Sequence, residues 1–350
     1  MRIPAELRPY LTDGTLWRRE DERLECTACA HRCRLTDGAT GACGVRVHQA
    51  GRLRVPFGYV AARRIRPVET NTIYHVVPGA LALTFGMYGC DLRCPYCHNA
   101  RLSQAPRAST ERFEPAPTTA AALADEAVAA GCQAVCAAYN EPMITAEWAH
   151  AVFAEAHRRG LRTALISDGH TTPEALAYMR PVTDVYRVDL KGFDEAQYAQ
   201  LGGRLAPVLD AIVMARGLGY WVEVVTLVTP HFNDDLHRLR GMARWLADLD
   251  PDIPWHLNAF QPRYRWRDRP PQPAGLLVSA AGAAYARGLK HVYVGNVSLT
   301  ELSHTRCPTC RAVLVERSDY RTVALHLRGD ACPACGTTVP GVWTPAPTRT

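Results

Sequence analysis

The segment GMYGCDLRCPYCHN, residues 86–99, sets Cys90, Cys94 and Cys97 in a CxxxCxxC loop with no fourth cysteine nearby. Three thiolates can hold three irons of a [4Fe–4S] cube and leave the fourth iron open to a ligand, whereas a structural zinc site closes its metal with four donors. A zinc site completed by His98 is the alternative that the spacing allows. The loop follows ALALTFG (80–86), the first of seven short β-rich runs. The others are AVCAAY (134–139), TALIS (163–167), VYRVDL (185–190), VEVVTLV (222–228), WHLNAF (255–260) and HVYVG (291–295). Helical patterns lie between most of them, at 118–130, 146–160 and 236–249. Strands alternating with helices predict an α/β fold whose parallel sheet is covered by helices, open or closed into a barrel.

Polar residues collect at the ends of these strands. Asn140, Glu141 and Pro142 follow the second run, Ser167, Asp168 and Gly169 the third, and Asp189 and Lys191 the fourth. Thr229 to Asp234 follow the fifth, and His256 sits on the sixth. Ligand sites of α/β barrels lie at the C-terminal ends of strands, so a single rim is expected to gather a carboxylate, a lysine and an imidazole around an open iron. Lys191 is one of only two lysines in the chain. Any one of these positions alone also reads as an ordinary polar loop; their alignment along successive strands favours one shared site.

Eight further cysteines form two sets of four. The C-terminal set, Cys307-x2-Cys310 and Cys332-x2-Cys335, is two CxxC turns able to close a tetrahedral zinc site, and four thiolates leave no open position for catalysis. The N-terminal set, Cys26, Cys29, Cys33 and Cys43, is less evenly spaced, with His31 as a possible substitute ligand; structural zinc or an auxiliary iron–sulfur cluster both fit it. Of the 13 cysteines only Cys132 and Cys136 remain, and they read as core, since buried cysteine behaves as a small hydrophobe. The Arg-aromatic run RYRWRDRPPQP (263–273) reads first as a solvated loop and second as a lid or partner surface.

Composition is globular: 350 residues, 47% hydrophobic and 21% charged, which excludes a disordered, collagen-like or coiled-coil chain. No apolar stretch of about 18 residues suggests a membrane span, and MRIPAELRPYLTDG shows no signal-peptide core, so a cytoplasmic protein is expected. The formal charge of +6 falls to about +1 once metal-bound thiolates are counted, and no basic run stands out. Nucleic-acid binding is therefore not expected, although a zinc ribbon keeps it as a third reading.

Taken together, these motifs resemble the radical SAM superfamily, whose signature is the CxxxCxxC loop and whose fold is a partial (βα)6 barrel. The resemblance implies that Cys90, Cys94 and Cys97 hold a [4Fe–4S] cluster whose open iron binds S-adenosylmethionine (SAM). It places Tyr96 near the adenine and Tyr139-Asn140-Glu141 near the methionine amino group. Within the superfamily, YNEP (139–142), DLK (189–191), TPHFND (229–234) and HLNAFQP (256–262) are similar to the branch of pyruvate formate-lyase-activating enzymes, which implies cofactor contacts for Lys191 and His256. The leading cysteine module with GACGVR, IYHVVPGA (73–80), HVYVGNV (291–297) and the CPTC…CPACG tail are similar to the radical SAM enzyme of the AmmeMemoRadiSam system. Departures are His98 where a glutamine is common, TNT (70–72) for a lysine-rich stretch and SDG (167–169) for a TNG-like turn.

The expected organisation is an N-terminal Cys-rich module and lead-in over 1–75, a partial barrel over 76–300 and a C-terminal zinc ribbon and tail over 301–350. The resemblance implies reductive SAM cleavage to a 5′-deoxyadenosyl radical. It also implies an electron donor such as flavodoxin or ferredoxin, and companion proteins of the AmmeMemoRadiSam system. Ser167, Asp168, Asp189 and His98 join Tyr96, Asn140, Glu141, Lys191 and His256 as candidate SAM contacts. An activase acting on a backbone glycine of a glycyl-radical enzyme is the alternative function.

Overall fold

The computed structural model describes residues 3–108 and 112–346. Its centre is an eight-stranded sheet: β1 (Ala62–Pro67), β2 (Leu81–Gly86), β3 (Ala134–Ala137), β4 (Arg162–Ser167), β5 (Val185–Asp189), β6 (Trp221–Val228), β7 (Trp255–Ala259) and β8 (Val292–Gly295). Each strand pairs with its sequence neighbours in the order β1 to β8. Strands β2 to β8 run parallel, while β1 is antiparallel to β2 at the edge. Parallel neighbours need a crossover connection, and helices supply most of them. The seven runs read from the sequence correspond to β2 to β8, so the α/β partial barrel is as expected. The edge strand β1 lies inside the segment read as lead-in, 1–75, and belongs to the main sheet.

Helix boundaries follow ordinary capping chemistry. Thr119 accepts the Ala122 N–H (3.1 Å) before Ala120–Ala129, and Asp235 accepts the His237 N–H (2.8 Å) before Leu236–Leu249. The latter helix buries Leu239, Met242, Ala243 and Leu246, one stripe at i, i+3, i+4 and i+7. Cys132 and Cys136 are buried in the core. Among the described residues no helix is long and apolar enough to cross a membrane.

Two appendages dock on this barrel. The N-terminal one has two three-stranded sheets, and its Arg46 guanidinium bonds the Glu147 carboxylate at 2.7 and 2.8 Å, both groups buried. The C-terminal one pairs Val313–Ser318 with Arg321–Leu325. Their two connecting residues, Asp319 and Tyr320, both have positive φ (48° and 59°), as a type I′ hairpin turn demands. Arg317, fully buried, donates to the Tyr74 carbonyl (2.7 Å) and stacks on its ring, with 4.2 Å from guanidinium carbon to centroid. Val342 and Val76 form a parallel bridge. The IYHVVPGA segment and the C-terminal tail therefore pack together against the barrel.

Candidate active site

The CxxxCxxC loop leaves β2 at Gly86, where a side chain is impossible: a Cβ there would lie 2.3 Å from the Ala138 carbonyl oxygen. Beside it, the Met87 N–H donates to Asn140 Oδ1 (2.9 Å) and Asn140 Nδ2 to the Glu141 carbonyl (3.0 Å). The amide thus ties the cluster loop to the end of β3. Arg107 fastens the other side, donating to the carbonyl oxygens of Leu92 (2.9 Å), Ala42 (2.5 Å) and Cys90.

The loop opens into a cavity of about 520 Å³ at the C-terminal ends of the strands. Cys90, Cys94, Tyr96, Cys97 and His98 line it from the loop, and Asn140, Glu141, Asp168, Asp189 and Lys191 line it from β3, β4 and β5. The lining brings these sequence-derived residues together, with His98 at an exposed position. Ser167 is not part of the lining. It is buried behind the cavity, its hydroxyl bonded to Glu141 Oε1 (2.9 Å), so it positions Glu141.

The cavity lining carries buried charges of both signs. Glu141 accepts the Asp168 N–H (2.7 Å) and Met143 N–H (2.9 Å). Burial, and then the neighbouring Asp168 and Asp91 charges, push its carboxyl well above the usual range. Asp168 is pushed up to about 7 by burial and the Asp91 charge, with Lys191 opposing. Two adjacent carboxylates so disposed call for a cation, and a ligand ammonium is one. Also in the lining, Asp189 pairs with both Lys191 (3.0 Å) and Arg187 (2.6 Å), two cations on one carboxylate. Burial would lower the Lys191 ammonium, but the charges of Asp189, Cys94, Tyr96 and Asp168 together hold it well above its ordinary value. Those cations suit a ligand carboxylate.

The thiols themselves fit a metal group. Burial and then the Asp168 charge push Cys90 well up, and burial pushes Cys94 to about 12, so as thiolates both would need a cation close by. Cys97 Sγ lies 3.2 Å from the Ser103 hydroxyl. Tyr96 is buried with its hydroxyl unpartnered, against Phe232 and Trp266 (centroids 5.8 and 5.3 Å). Trp266 belongs to the 263–273 run, which the sequence reading treated first as a solvated loop. The run is largely exposed, as a solvated loop is, but it also touches the cluster loop: the Arg265 N–H bonds the Pro95 carbonyl (2.9 Å), and Arg269 stacks on Trp266 at 3.4 Å.

His256 requires a correction. It does not line the cavity; it is buried at the barrel floor, with Nε2 2.7 Å from Glu223 Oε2 and its ring stacked on Tyr293. Asn258, two residues on along the same face of β7, lines the cavity instead. A strand rises about 3.3 Å per residue, so His256 stands about 7 Å below the rim.

Sequence reasoning missed Arg66, Arg187, Asn258, Asn296 and Tyr320 in the lining. For Arg187 a signal existed: Arg187, Asp189 and Lys191 alternate through VYRVDLK at the period of a strand face. Tyr320 gave none, since it arrives from the C-terminal hairpin; its hydroxyl bonds Asn296 Oδ1 (2.6 Å) and accepts the Asn296 N–H (3.0 Å). Also missed was the buried Asp91–His170 pair (2.9 Å) beside Cys90.

Of the other cysteines, the C-terminal four have Sγ atoms within 4.8 Å of one another, with Cys307–Cys335 at 3.5 Å and Cys310–Cys332 at 3.6 Å. One zinc with bonds of about 2.3 Å brings sulfurs to such spacing. The N-terminal four, with His31, lie against the cluster loop; His31 Nε2 is 3.2 Å from the Asp91 carbonyl oxygen.

Comparison with known proteins agrees with this geometry. Residues 85–246 match the family described as the radical SAM superfamily. A protein of Methanocaldococcus jannaschii described as uncharacterized is 30% identical over 321 residues, covering 91% of this chain and 95% of its own. A domain of a pyruvate-formate lyase-activating enzyme from Bacteroides vulgatus superposes with a TM-score of 0.41 at 16% identity, covering 47% of this chain and 99% of that one. A radical SAM methyltransferase from Sphaerobacter thermophilus gives 0.49 at 13% identity, covering 84% and 82%. The family match over the cluster loop and barrel, together with the near-full-length relative, establishes that the chain belongs to the radical SAM superfamily of enzymes.

Proposed function

We propose that this enzyme cleaves SAM reductively and acts on a substrate of its own in the manner of the AmmeMemoRadiSam system enzymes. The observation that carries the reading is one cavity lined together by Cys90, Cys94, Cys97, Glu141, Asp168 and Lys191. A reduced [4Fe–4S] cluster held by Cys90, Cys94 and Cys97 would supply the electron for reductive cleavage of SAM, the source of the radical that acts on the substrate.

The residues divide the remaining work. Glu141, fixed by the Ser167 hydroxyl and the Asp168 N–H, accepts hydrogen bonds from the methionine ammonium. Lys191, steadied by Asp189, pairs with the carboxylate. Tyr96, Phe232 and Trp266 give an apolar wall that shelters the adenine side and excludes water. Arg66, Arg187, Asn258, Asn296 and Tyr320 form the remaining wall, whose cations and amides suit a substrate carrying a carboxylate or phosphate.

The C-terminal thiols would hold a structural zinc that fixes the hairpin carrying Tyr320. A low-potential donor such as flavodoxin or ferredoxin, companion proteins of the AmmeMemoRadiSam system and a cytoplasmic setting with reduced thiols complete the reading. The test is anaerobic reconstitution with iron and sulfide, followed by dithionite and SAM. Wild type should form 5′-deoxyadenosine, and Cys90→Ala/Cys94→Ala/Cys97→Ala should form none. Equal nucleoside from both proteins would refute the proposal.

A further inference from the structure

The N-terminal cysteines differ from the C-terminal ones in depth, in spacing and in what they touch. Cys26, Cys29 and Cys43 are buried in the main hydrophobic core, with Cys33 packed at its edge. Among the described residues, close gatherings of three or more ligand atoms form at Cys307/Cys310/Cys332/Cys335, at His31/Asp91/His170 and at Cys90/Asp91/Asp168. The N-terminal four form none, and neither do Cys90, Cys94 and Cys97 as a trio. A single zinc holds its sulfurs in one tight shell, whereas a cluster binds each thiolate to a different iron and leaves the sulfurs further apart. The N-terminal set thus lacks the tight shell of the zinc-type set, as the cluster loop does.

Gly41 stands between two of these sulfurs. At Gly41, whose φ needs no glycine, an added Cβ would stand 3.6 Å from both Cys33 Sγ and Cys43 Sγ. The site lies directly on the catalytic loop. A Cβ at Gly89 would stand 2.9 Å from the Cys43 carbonyl oxygen, and Arg107 bonds the Ala42 and Cys90 carbonyls together. Cys29 bridges Thr171, and the Ala30 N–H donates to the His170 carbonyl (3.0 Å).

We propose that Cys26, Cys29, Cys33 and Cys43 hold a second [4Fe–4S] cluster, which relays electrons to the cluster at Cys90, Cys94 and Cys97. The relay rests on the radical SAM reading given above. A one-electron carrier of low potential, such as reduced flavodoxin, is oxidised as the N-terminal cluster is reduced. That cluster is reoxidised as the Cys90 cluster takes the electron, and no proton or bond is exchanged. Cys33, the least buried of the four, marks the side from which an electron can enter.

The experiment uses the reconstituted full chain. Wild type should contain about eight irons and one zinc, and Cys90→Ala/Cys94→Ala/Cys97→Ala should keep about four irons with a reduced-cluster EPR signal insensitive to SAM. This variant leaves the N-terminal module intact. Loss of all iron from it, with a second zinc in wild type, would overturn the second cluster while leaving the radical SAM reading standing. A wild type without iron would overturn both. For the relay, Cys33→Ala should retain the SAM-responsive EPR signal of the Cys90 cluster but accept electrons from reduced flavodoxin at least tenfold more slowly; an unchanged rate would overturn the relay.

Discussion

The rim and the floor of the barrel both bury charge, and they finish it differently. At the floor, Glu223 accepts from His256 (2.7 Å), from the Tyr74 and His75 N–H groups (2.9 Å each) and from the Trp221 indole (3.1 Å). Although burial alone would raise its pKa, these partners, His256 first, hold its carboxyl down at about 2. His75 continues the network to Tyr293 (2.6 Å), which reaches Thr305 (2.9 Å). At the rim, the Asp168 charge raises Glu141 and the Asp91 charge raises Asp168, while Lys191 and Arg187 share one carboxylate. Buried polar groups that satisfy each other hold a fold together; buried polar groups left in like-charged pairs await a ligand. The comparison assigns structure to the floor and cofactor binding to the rim.

The sharpest way to break it is at Glu223. Glu223→Ala leaves His256 and two backbone N–H groups without their acceptor, and should destabilise the protein by about 3–5 kcal/mol in urea unfolding. SAM affinity of the folded protein should stay within about twofold. A stable variant with weakened SAM binding would reverse the assignment.

Acid should attack the floor before the rim. Burial lowers His291 to about 4, with Asp252 opposing, and its ring lies 4.6 Å from His75, which burial also lowers. A depressed histidine contributes stability that is full above the unfolded value of about 6.5 and is lost as pH falls through the folded value. The Tm should therefore fall between about pH 6.5 and 4, with His291 worth up to ~3 kcal/mol. His291→Leu should flatten that slope; an unaltered pH profile would remove histidine from the account.

At the rim, Lys191→Ala should weaken SAM binding about 10- to 100-fold, the range of a hydrogen bond between charged groups. Stability should change little, because Asp189 keeps Arg187 at 2.6 Å. Unchanged affinity by equilibrium dialysis would show that the lysine does not meet the cofactor. The smallest effect belongs to Tyr320→Phe, which deletes two hydrogen bonds to Asn296 and should cost about 1 kcal/mol in thermal unfolding. A loss several times larger would mean that the hairpin tip supports the barrel as much as the cavity.

The same contrast explains what was legible in the sequence. The strands β2 to β8 were readable to within about two residues because their apolar runs are bounded by turns and helical patterns. The cysteine loop and the Glu141, Asp168 and Lys191 positions were readable because a strand end adjoins its own loop. Depth along a strand was not: His256 and Asn258 share a face of β7, and only the three-dimensional rim distinguishes them. Contacts made by remote segments were equally hidden. Tyr320 reaches Asn296 from a hairpin, Arg46 meets Glu147 across the N-terminal module, and Trp266 covers Tyr96, each set by packing between elements far apart in sequence. The antiparallel edge β1 was missed because its ARRIRP sequence carries three exposed arginines and little apolar signal.

The most direct measurement is SAM affinity by equilibrium dialysis on anaerobically reconstituted Glu141→Gln and His256→Asn, side by side with wild type. Both residues are buried and both were implicated by sequence. The account predicts at least tenfold weaker binding for Glu141→Gln and a change within twofold for folded His256→Asn. The opposite ranking would contradict it.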